Sequence, residues 1–224
     1  MEYILDTANV SEIKHCNEFY PLAGVTTNPS IIAKENTDFW KLVEDIRTII
    51  GHDKMFFAQT VQTTAEKIIE EAILLNERSG GDFCVKIPIG EEGLKATMQL
   101  KKIGIKVLMT AIFTPAQALI AAKAGADYVA PYVNRLDSII GDGCEVVAQI
   151  VELFNIYNLP CKVLAASYKN AEQVHKCAMA GCHCVTVTAD VLRSVLSHPM
   201  TDAAIMGFEK DWTEVYGNKT ILDF

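Results

Sequence analysis

Residues 83–110 read FCVKIPIGEEGLKATMQLKKIGIKVLMT. Phe83–Ile87 is a short apolar run closed by Pro88, and Lys106–Met109 is another. The stretch between them is helical in pattern and ends at Gly104, a residue that tolerates the left-handed turn past a helix C-terminus. A strand, a helix and a second strand in this order form a crossover unit, which parallel strands need because no short hairpin can join them. The same unit recurs outward in both directions. Further strand-like runs are Tyr3–Leu5, Leu22–Val25, Met55–Ala58, Tyr128–Ala130, Lys162–Ala165 and Cys184–Val187. Eight strand–helix units of roughly 20–35 residues suit a single (β/α)8 TIM barrel, a fold usually of ~250 residues.

Start and stop signals punctuate the helices. Asn9-Val-Ser-Glu12, Thr63-Thr-Ala-Glu66 and Asn170-Ala-Glu-Gln173 resemble capping boxes. Thr114-Pro115 puts proline where its missing N–H costs nothing. Gly125 and Gly181, like Gly104, follow helical stretches. A dinucleotide-binding α/β sheet would want G-x-G-x-x-G after its first strand, but Asp6-Thr7-Ala8-Asn9 stands there. No Ser/Gly/Pro tract or charge block marks a linker, so one domain is expected, with the barrel in residues 1–198. Residues 199–224 form a C-terminal helical arm of the same domain. That arm carries Ile205, Phe208, Trp212 and Val215 in an amphipathic stripe. It serves either for packing on its own barrel or for docking on a neighbouring subunit.

Composition excludes several functions. The net charge is −8, against nonspecific nucleic-acid binding, which draws on phosphate neutralisation. No apolar run approaches the ~20 residues of a membrane span. The first residues carry an acid and no basic segment, so no secretion signal is expected. Seven cysteines without such a signal fit a reduced, cytoplasmic chain.

In a (β/α)8 barrel the chemistry gathers at the C-terminal strand ends. Here the exits carry Asp6, Thr26-Thr27-Asn28-Pro29-Ser30, Gln59, Lys86, Thr110, Tyr132 with Asn134 and Arg135, Ser167, and Thr186, Thr188 and Asp190. Lys86 lies inside an apolar strand near its exit. Burial lowers a lysine's pKa, and a neutral amine is the nucleophile that Schiff-base chemistry requires. The alternative is a structural ion pair of Lys86 with Asp6. For Arg135 the alternatives are an anion clamp and a salt bridge to Asp137. His175, Cys177, Cys182, His183 and Cys184 invite a zinc reading. There is no C-x-x-C pair, however, and alternate side chains of a strand face opposite ways. Buried small hydrophobes account better for the cysteines.

The segments Leu5-Asp6-Thr7-Ala8, Ala23-Gly24-Val25-Thr26-Thr27-Asn28-Pro29-Ser30, Val85-Lys86-Ile87-Pro88, Ala130-Pro131-Tyr132-Val133-Asn134-Arg135-Leu136-Asp137 and Val163-Leu164-Ala165-Ala166-Ser167 together resemble the small transaldolase family, most closely its fructose-6-phosphate aldolases. The resemblance implies a Schiff-base aldolase of carbohydrate metabolism, near the pentose phosphates, with no metal and no cofactor. Lys86 would attack the C2 ketone of a ketose such as fructose 6-phosphate. Cleavage of the C3–C4 bond would give dihydroxyacetone and an aldehyde such as glyceraldehyde 3-phosphate. Asp6 would act in acid/base and positioning roles. Gln59, Thr110 and Tyr132 would hold a catalytic water. Asn28, with Thr26 and Ser30, would bind the dihydroxyacetone unit, and Arg135 and Ser167 the acceptor's terminal phosphate or sulfonate. Transaldolases proper usually carry Glu and Phe where this chain has Gln59 and Tyr132, so transfer of the three-carbon unit to an acceptor is the nearest alternative. A barrel that binds sugar phosphates without turnover is a third. The resemblance also implies a homo-oligomer, pentamer or decamer, with the C-terminal helix crossing to a neighbour.

Overall fold

A computed structural model describes residues 1–224. Eight strands close into a barrel: β1 Glu2–Asp6, β2 Leu22–Thr26, β3 Met55–Gln59, β4 Phe83–Pro88, β5 Val107–Ile112, β6 Tyr128–Pro131, β7 Lys162–Ala165 and β8 Cys184–Val187. Each pairs in parallel with the next, and β8 with β1. Helices α1 Val10–Phe19, α2 Pro29–Glu35, α3 Phe39–Ile50, α4 Ala65–Ser79, α5 Glu91–Lys102, α6 Pro115–Lys123, α7 Val133–Asp137, α8 Gly143–Ile156, α9 Ala171–Met179 and α10 Ala189–Leu196 fill the connections. This is the (β/α)8 TIM barrel, and α11 Pro199–Tyr216 is the extra C-terminal helix. No helix is long and apolar enough to cross a membrane.

The period-two alternation of each strand sorts its side chains between two cores. Phe56, Ala58, Val85, Ile87, Val107 and Met109 face outward into a 47-residue apolar cluster shared with the helices. Met55, Phe57, Cys84 and Leu108 face inward, with Ile4, Tyr128, Ala130, Leu164 and Cys184. The inner cluster has only nine buried residues and fills the barrel's lower part. Lys86 shares the parity of Cys84, so the same alternation turns it inward. β2 approaches β3 so closely that a Cβ on Gly24 would lie 2.2 Å from the Met55 carbonyl oxygen.

Several local expectations hold. Asn9 and Asn170 cap α1 and α9, and Thr114 forms a full capping box with Gln117 behind Pro115. Gly104, Gly125 and Gly181 adopt φ of +80°, +95° and +80°. Three differ. The Thr63 box does not form: the cap position is Thr64, whose side chain makes no capping bond. Glu92 of α5 accepts from the Ala65 N–H at 2.6 Å instead, and Glu66 pairs with Lys95. Strand β5 begins at Val107, one residue beyond Lys106, and runs on through a bulge to Ile112. The helices α2 and α7, of seven and five residues, were not anticipated, being too short for a periodic signal. They carry Ser30 and Arg135.

The α11 stripe does not pack on its own barrel. No residue of α11 is buried, and Ile205, Phe208 and Val215 are 58%, 72% and 72% exposed. Trp212 stacks only locally, on Tyr216, which meets Phe224 in turn.

The barrel floor is tied by Arg47 of α3, a buried guanidinium the sequence did not single out. Its Nε donates to the Ser79 carbonyl at 3.0 Å, Nη1 to those of Gly51 and Lys54 at 3.0 and 2.9 Å, and Nη2 to that of Asp82 at 3.2 Å. One side chain thus satisfies carbonyls past the ends of α3 and α4. Arg47→Ala takes the guanidinium donors from all four carbonyls, of which that of Asp82 keeps the Phe56 N–H, and chemical denaturation should show a loss of about 3 kcal/mol, at the scale of broken buried polar networks. A loss below ~0.5 kcal/mol, typical of surface changes, would contradict this role.

Candidate active site

Above the inner apolar cluster the inward-facing residues turn polar, and a cavity of about 830 Å³ opens at the C-terminal ends of the strands. All ten residues singled out from sequence line it: Asp6, Thr26, Asn28, Ser30, Gln59, Lys86, Thr110, Tyr132, Arg135 and Ser167. Sheet register sets their neighbours. Asp6 lies beside Thr26, Gln59 beside Lys86, and Thr110 beside Pro88.

Lys86 is 6% exposed and fully enclosed at this floor. Its Nζ donates one hydrogen bond, 2.7 Å, to the Thr27 carbonyl at the exit of β2. No carboxylate lies within the 4.0 Å of an ion pair. The structural pair with Asp6 is therefore not formed. Burial pushes the Lys86 pKa below the ordinary lysine range, opposed by the more distant attraction of the Asp6 carboxylate. The result is an amine in the cavity lining with a reduced cost of losing its proton.

Asp6 is engaged elsewhere. Thr26 Oγ1 donates to Asp6 Oδ1 at 2.7 Å, and Thr26 Oγ1 and Thr186 Oγ1 are 2.5 Å apart. A hydroxyl has one proton, so with Thr26 donating to the carboxylate, Thr186 donates to Thr26. This buried chain points its dipoles at Asp6 and fixes one carboxylate oxygen, leaving the other for the cavity.

Across the mouth, the Thr110 and Tyr132 hydroxyls are 2.9 Å apart. The β5 bulge prepares this contact. Ala111 takes φ +60°, a costly conformation for a residue with a Cβ. It turns Ile112 outward into the helix-facing core while Thr110 stays inward, and the Ile112 carbonyl accepts from the Tyr132 N–H at 3.1 Å. Phe113 braces the Tyr132 ring edge-on at 5.5 Å.

The rim holds the remaining residues. Asn28 Oδ1 caps α2 by accepting from the Ile31 N–H at 3.0 Å, which leaves its amide N–H groups as the free donors. Helix α7 docks on the exit of β7: the Val133 and Asn134 N–H groups donate to the carbonyls of Ala166 and Ser167, at 2.9 and 2.8 Å. Ser167 itself is left-handed, φ +65°. Arg135 stacks on Tyr132, with 4.8 Å from guanidinium carbon to ring centre. It makes no salt bridge to Asp137, whose oxygens accept from the Gly143 N–H and from Gln173 Nε2. Its N–H edge is therefore free of protein acceptors. Lys34, Lys169, Tyr168 and Glu35 also line the cavity and were not picked out from sequence, because they lie on helices and loops beyond the strand exits.

The cysteine–histidine cluster does not converge. Cys182 donates to backbone carbonyls, His183 Nδ1 accepts from the Val163 N–H, and Cys184 faces Glu2 inside the barrel floor. Burial raises the pKa of the Cys182 thiol to about 11, as expected of an inert buried thiol.

The depressed Lys86 pKa has a consequence for stability. The unfolded chain holds this proton more tightly than the native one, so native stability rises with pH between the two values, and the penalty is full below both. Lys86→Met should stabilise the protein by about 1–2 kcal/mol at neutral pH, the usual yield of relieving a strained site. The gain should fade as pH rises from the depressed native value and be gone by the ordinary lysine value near ~10.4. Denaturation of both proteins across pH tests this; a pH-independent difference, or a loss at neutral pH, would contradict it.

The chain matches the family model described as Transaldolase/Fructose-6-phosphate aldolase over residues 3–219. Among solved structures, it is similar to the native KDPGal structure at 17% identity and TM-score 0.58, over 84% of this chain and 82% of that one. It is also similar to mandelate oxidase structures at 12% identity, one of them with the monooxide FMN adduct, at TM-scores of 0.58 and 0.57. Those cover 80% of this chain, which spans only 58% and 59% of theirs. At such identities these likenesses show the shared barrel alone. The family match is of another kind, since it runs through every strand and takes in Lys86 and the loops of the mouth; the chain belongs to the transaldolase/fructose-6-phosphate aldolase family.

Proposed function

We propose that the protein is a Schiff-base aldolase that cleaves or forms the C3–C4 bond of a ketose carrying an anionic group at C6, such as fructose 6-phosphate. The observation that carries this reading is the state of Lys86: enclosed, without a carboxylate partner, and held by one carbonyl at the floor of the cavity. The neutral amine adds to the C2 ketone, and the carbinolamine takes up a proton and loses water to give an iminium. Deprotonation of the C4 hydroxyl lets the C3–C4 bond break. Its electron pair flows into the iminium, giving an enamine on Lys86 and a free aldehyde. Protonation at C3 and hydrolysis then release dihydroxyacetone and restore the amine.

Within this reading Asp6 serves proton transfer and hydroxyl positioning, supported by its fixed oxygen and the polar chain behind it. Gln59, Thr110 and Tyr132 hold the water that protonates and hydrolyses the enamine, and Tyr132 is its proton partner. Asn28 donates to the hydroxyls of the dihydroxyacetone unit, with Thr26 and Ser30 beside it. Arg135 offers its fork of N–H donors to the phosphate, and Ser167 lies on the loop against which α7 docks.

The nearest alternative is transfer of the enamine to an acceptor aldehyde. The two differ in whether water reaches the enamine. Incubation with fructose 6-phosphate alone should release free dihydroxyacetone, detected by its reduction with a coupling dehydrogenase. Release only when an acceptor aldehyde is added would make the protein a transaldolase, and no reaction in either format would leave a barrel that binds sugar phosphates without turnover.

We also propose that residues 199–224 are an arm of the barrel's own domain that docks on a second copy in a homo-oligomer. The exposed Ile205–Phe208–Val215 face supports this, being costly to leave in water. Ending the chain after His198 should yield smaller or aggregating species in sedimentation velocity. An unchanged sedimentation behaviour, corrected for mass, would contradict the proposal.

A further inference from the structure

We propose that Gln173 is a positioning residue for the anion site: its buried amide fixes the loop of Arg135 against the loop of Ser167, and so sets the preference for a phosphorylated aldehyde. The inference rests on the reading of Arg135 as the phosphate clamp.

Gln173 sits in the first turn of α9, 8% exposed, and uses its whole amide. Oε1 accepts from the Lys169 N–H at 2.8 Å, on the segment that follows Ser167. Nε2 donates to Asp137 Oδ2 at 2.6 Å and to Asn134 Oδ1 at 3.3 Å, on either side of Arg135 in α7. The other Asp137 oxygen accepts from the Gly143 N–H at 2.8 Å. A Cβ on Gly143 would lie 2.4 Å from the Val133 carbonyl oxygen, so α8 closes directly on α7. A five-residue helix has no stability of its own, since nucleation costs more than one turn returns. Its orientation is therefore set by what it is tied to. Two backbone bonds dock its start on Ala166 and Ser167, and the Gln173–Asp137 bond holds its end. Without that bond the end of α7 keeps its tie to α8 through Gly143 but loses the one to α9, and the Arg135 fork loses its fixed distance from the Ser167 loop.

The polarity of this bond can be reversed without removing it. Gln173→Glu sets two carboxylates against each other and breaks the tie. Adding Asp137→Asn restores a donor–acceptor pair in the opposite sense, while the Asn carbonyl still accepts from Gly143 and the Glu still accepts from Lys169. Two readouts are compared among the wild type, Gln173→Glu, the double swap and Arg135→Ala: affinity for inorganic phosphate by calorimetry, and kcat and KM for glyceraldehyde 3-phosphate against glyceraldehyde with dihydroxyacetone as donor. Gln173→Glu should weaken phosphate and raise KM for the phosphorylated aldehyde by about fivefold, the range of one buried hydrogen bond. It should leave kcat and the unphosphorylated aldehyde within about twofold, and the double swap should recover most of the loss. A merely structural role would cost both aldehydes alike and lower kcat. Equal losses, no loss, or no recovery in the double swap overturn the inference while selective loss in Arg135→Ala keeps the anion site. Phosphate affinity unchanged in Arg135→Ala overturns the anion site itself, and the inference with it.

Discussion

Everything at the mouth of this barrel is arranged around an ammonium that has been taken out of water without a counter-ion. Enclosing Lys86 in its charged form costs free energy, and the Thr27 carbonyl returns only part of it. The cost falls on the protonated form, so burial itself makes the amine available. The fold can carry this penalty because the lysine stands at the boundary of two well-filled cores. The outer cluster locks the strands to the helices, and the inner one plugs the barrel beneath the site.

The collar around Lys86 shows two ways of holding polar groups. Near the floor, order comes from the sheet: register pairs Asp6 with Thr26 and Gln59 with Lys86, and the Thr186–Thr26–Asp6 chain is rigid because its members stand on neighbouring strands. At the rim, order comes from side chains tying loops together. Asn28 caps α2, and Asp137 and Gln173 tie α7 to α8 and α9. Strain marks both regions, in Ala111 beside Thr110 and in Ser167 at the exit of β7. Such conformations persist where the surroundings over-determine them. A rigid floor and a tied rim suit chemistry that needs a fixed nucleophile and a substrate held by its far end.

The barrel was legible because its signal is repeated: eight apolar runs, each followed by a helical pattern, survive errors of a residue at each end. The floor of the site was legible for the same reason. A lysine in the middle of an apolar strand breaks the pattern, and its parity with Cys84 says which way it points. What could not be read were features that depend on distant segments meeting. The Thr27 carbonyl as partner of Lys86, the Glu92 carboxylate that replaces the Thr63 box, the four carbonyls on Arg47 and the Gln173 amide each join residues from separate turns of the barrel. Local patterns carry no record of such meetings. Lys106 was misplaced by one residue, and the β5 bulge was missed, because an αL alanine has no sequence signature. The choice between packing and docking for the C-terminal stripe was equally closed to sequence; only its exposure in the fold removes the first.

The central claim is that Lys86 is the nucleophile. Borohydride reduction of the protein in the presence of dihydroxyacetone, followed by peptide mass mapping, tests it most directly. The account predicts a dihydroxypropyl group on Lys86 alone, and none on Lys86→Met protein. A modification at another lysine, or undiminished labelling in the variant, would contradict it.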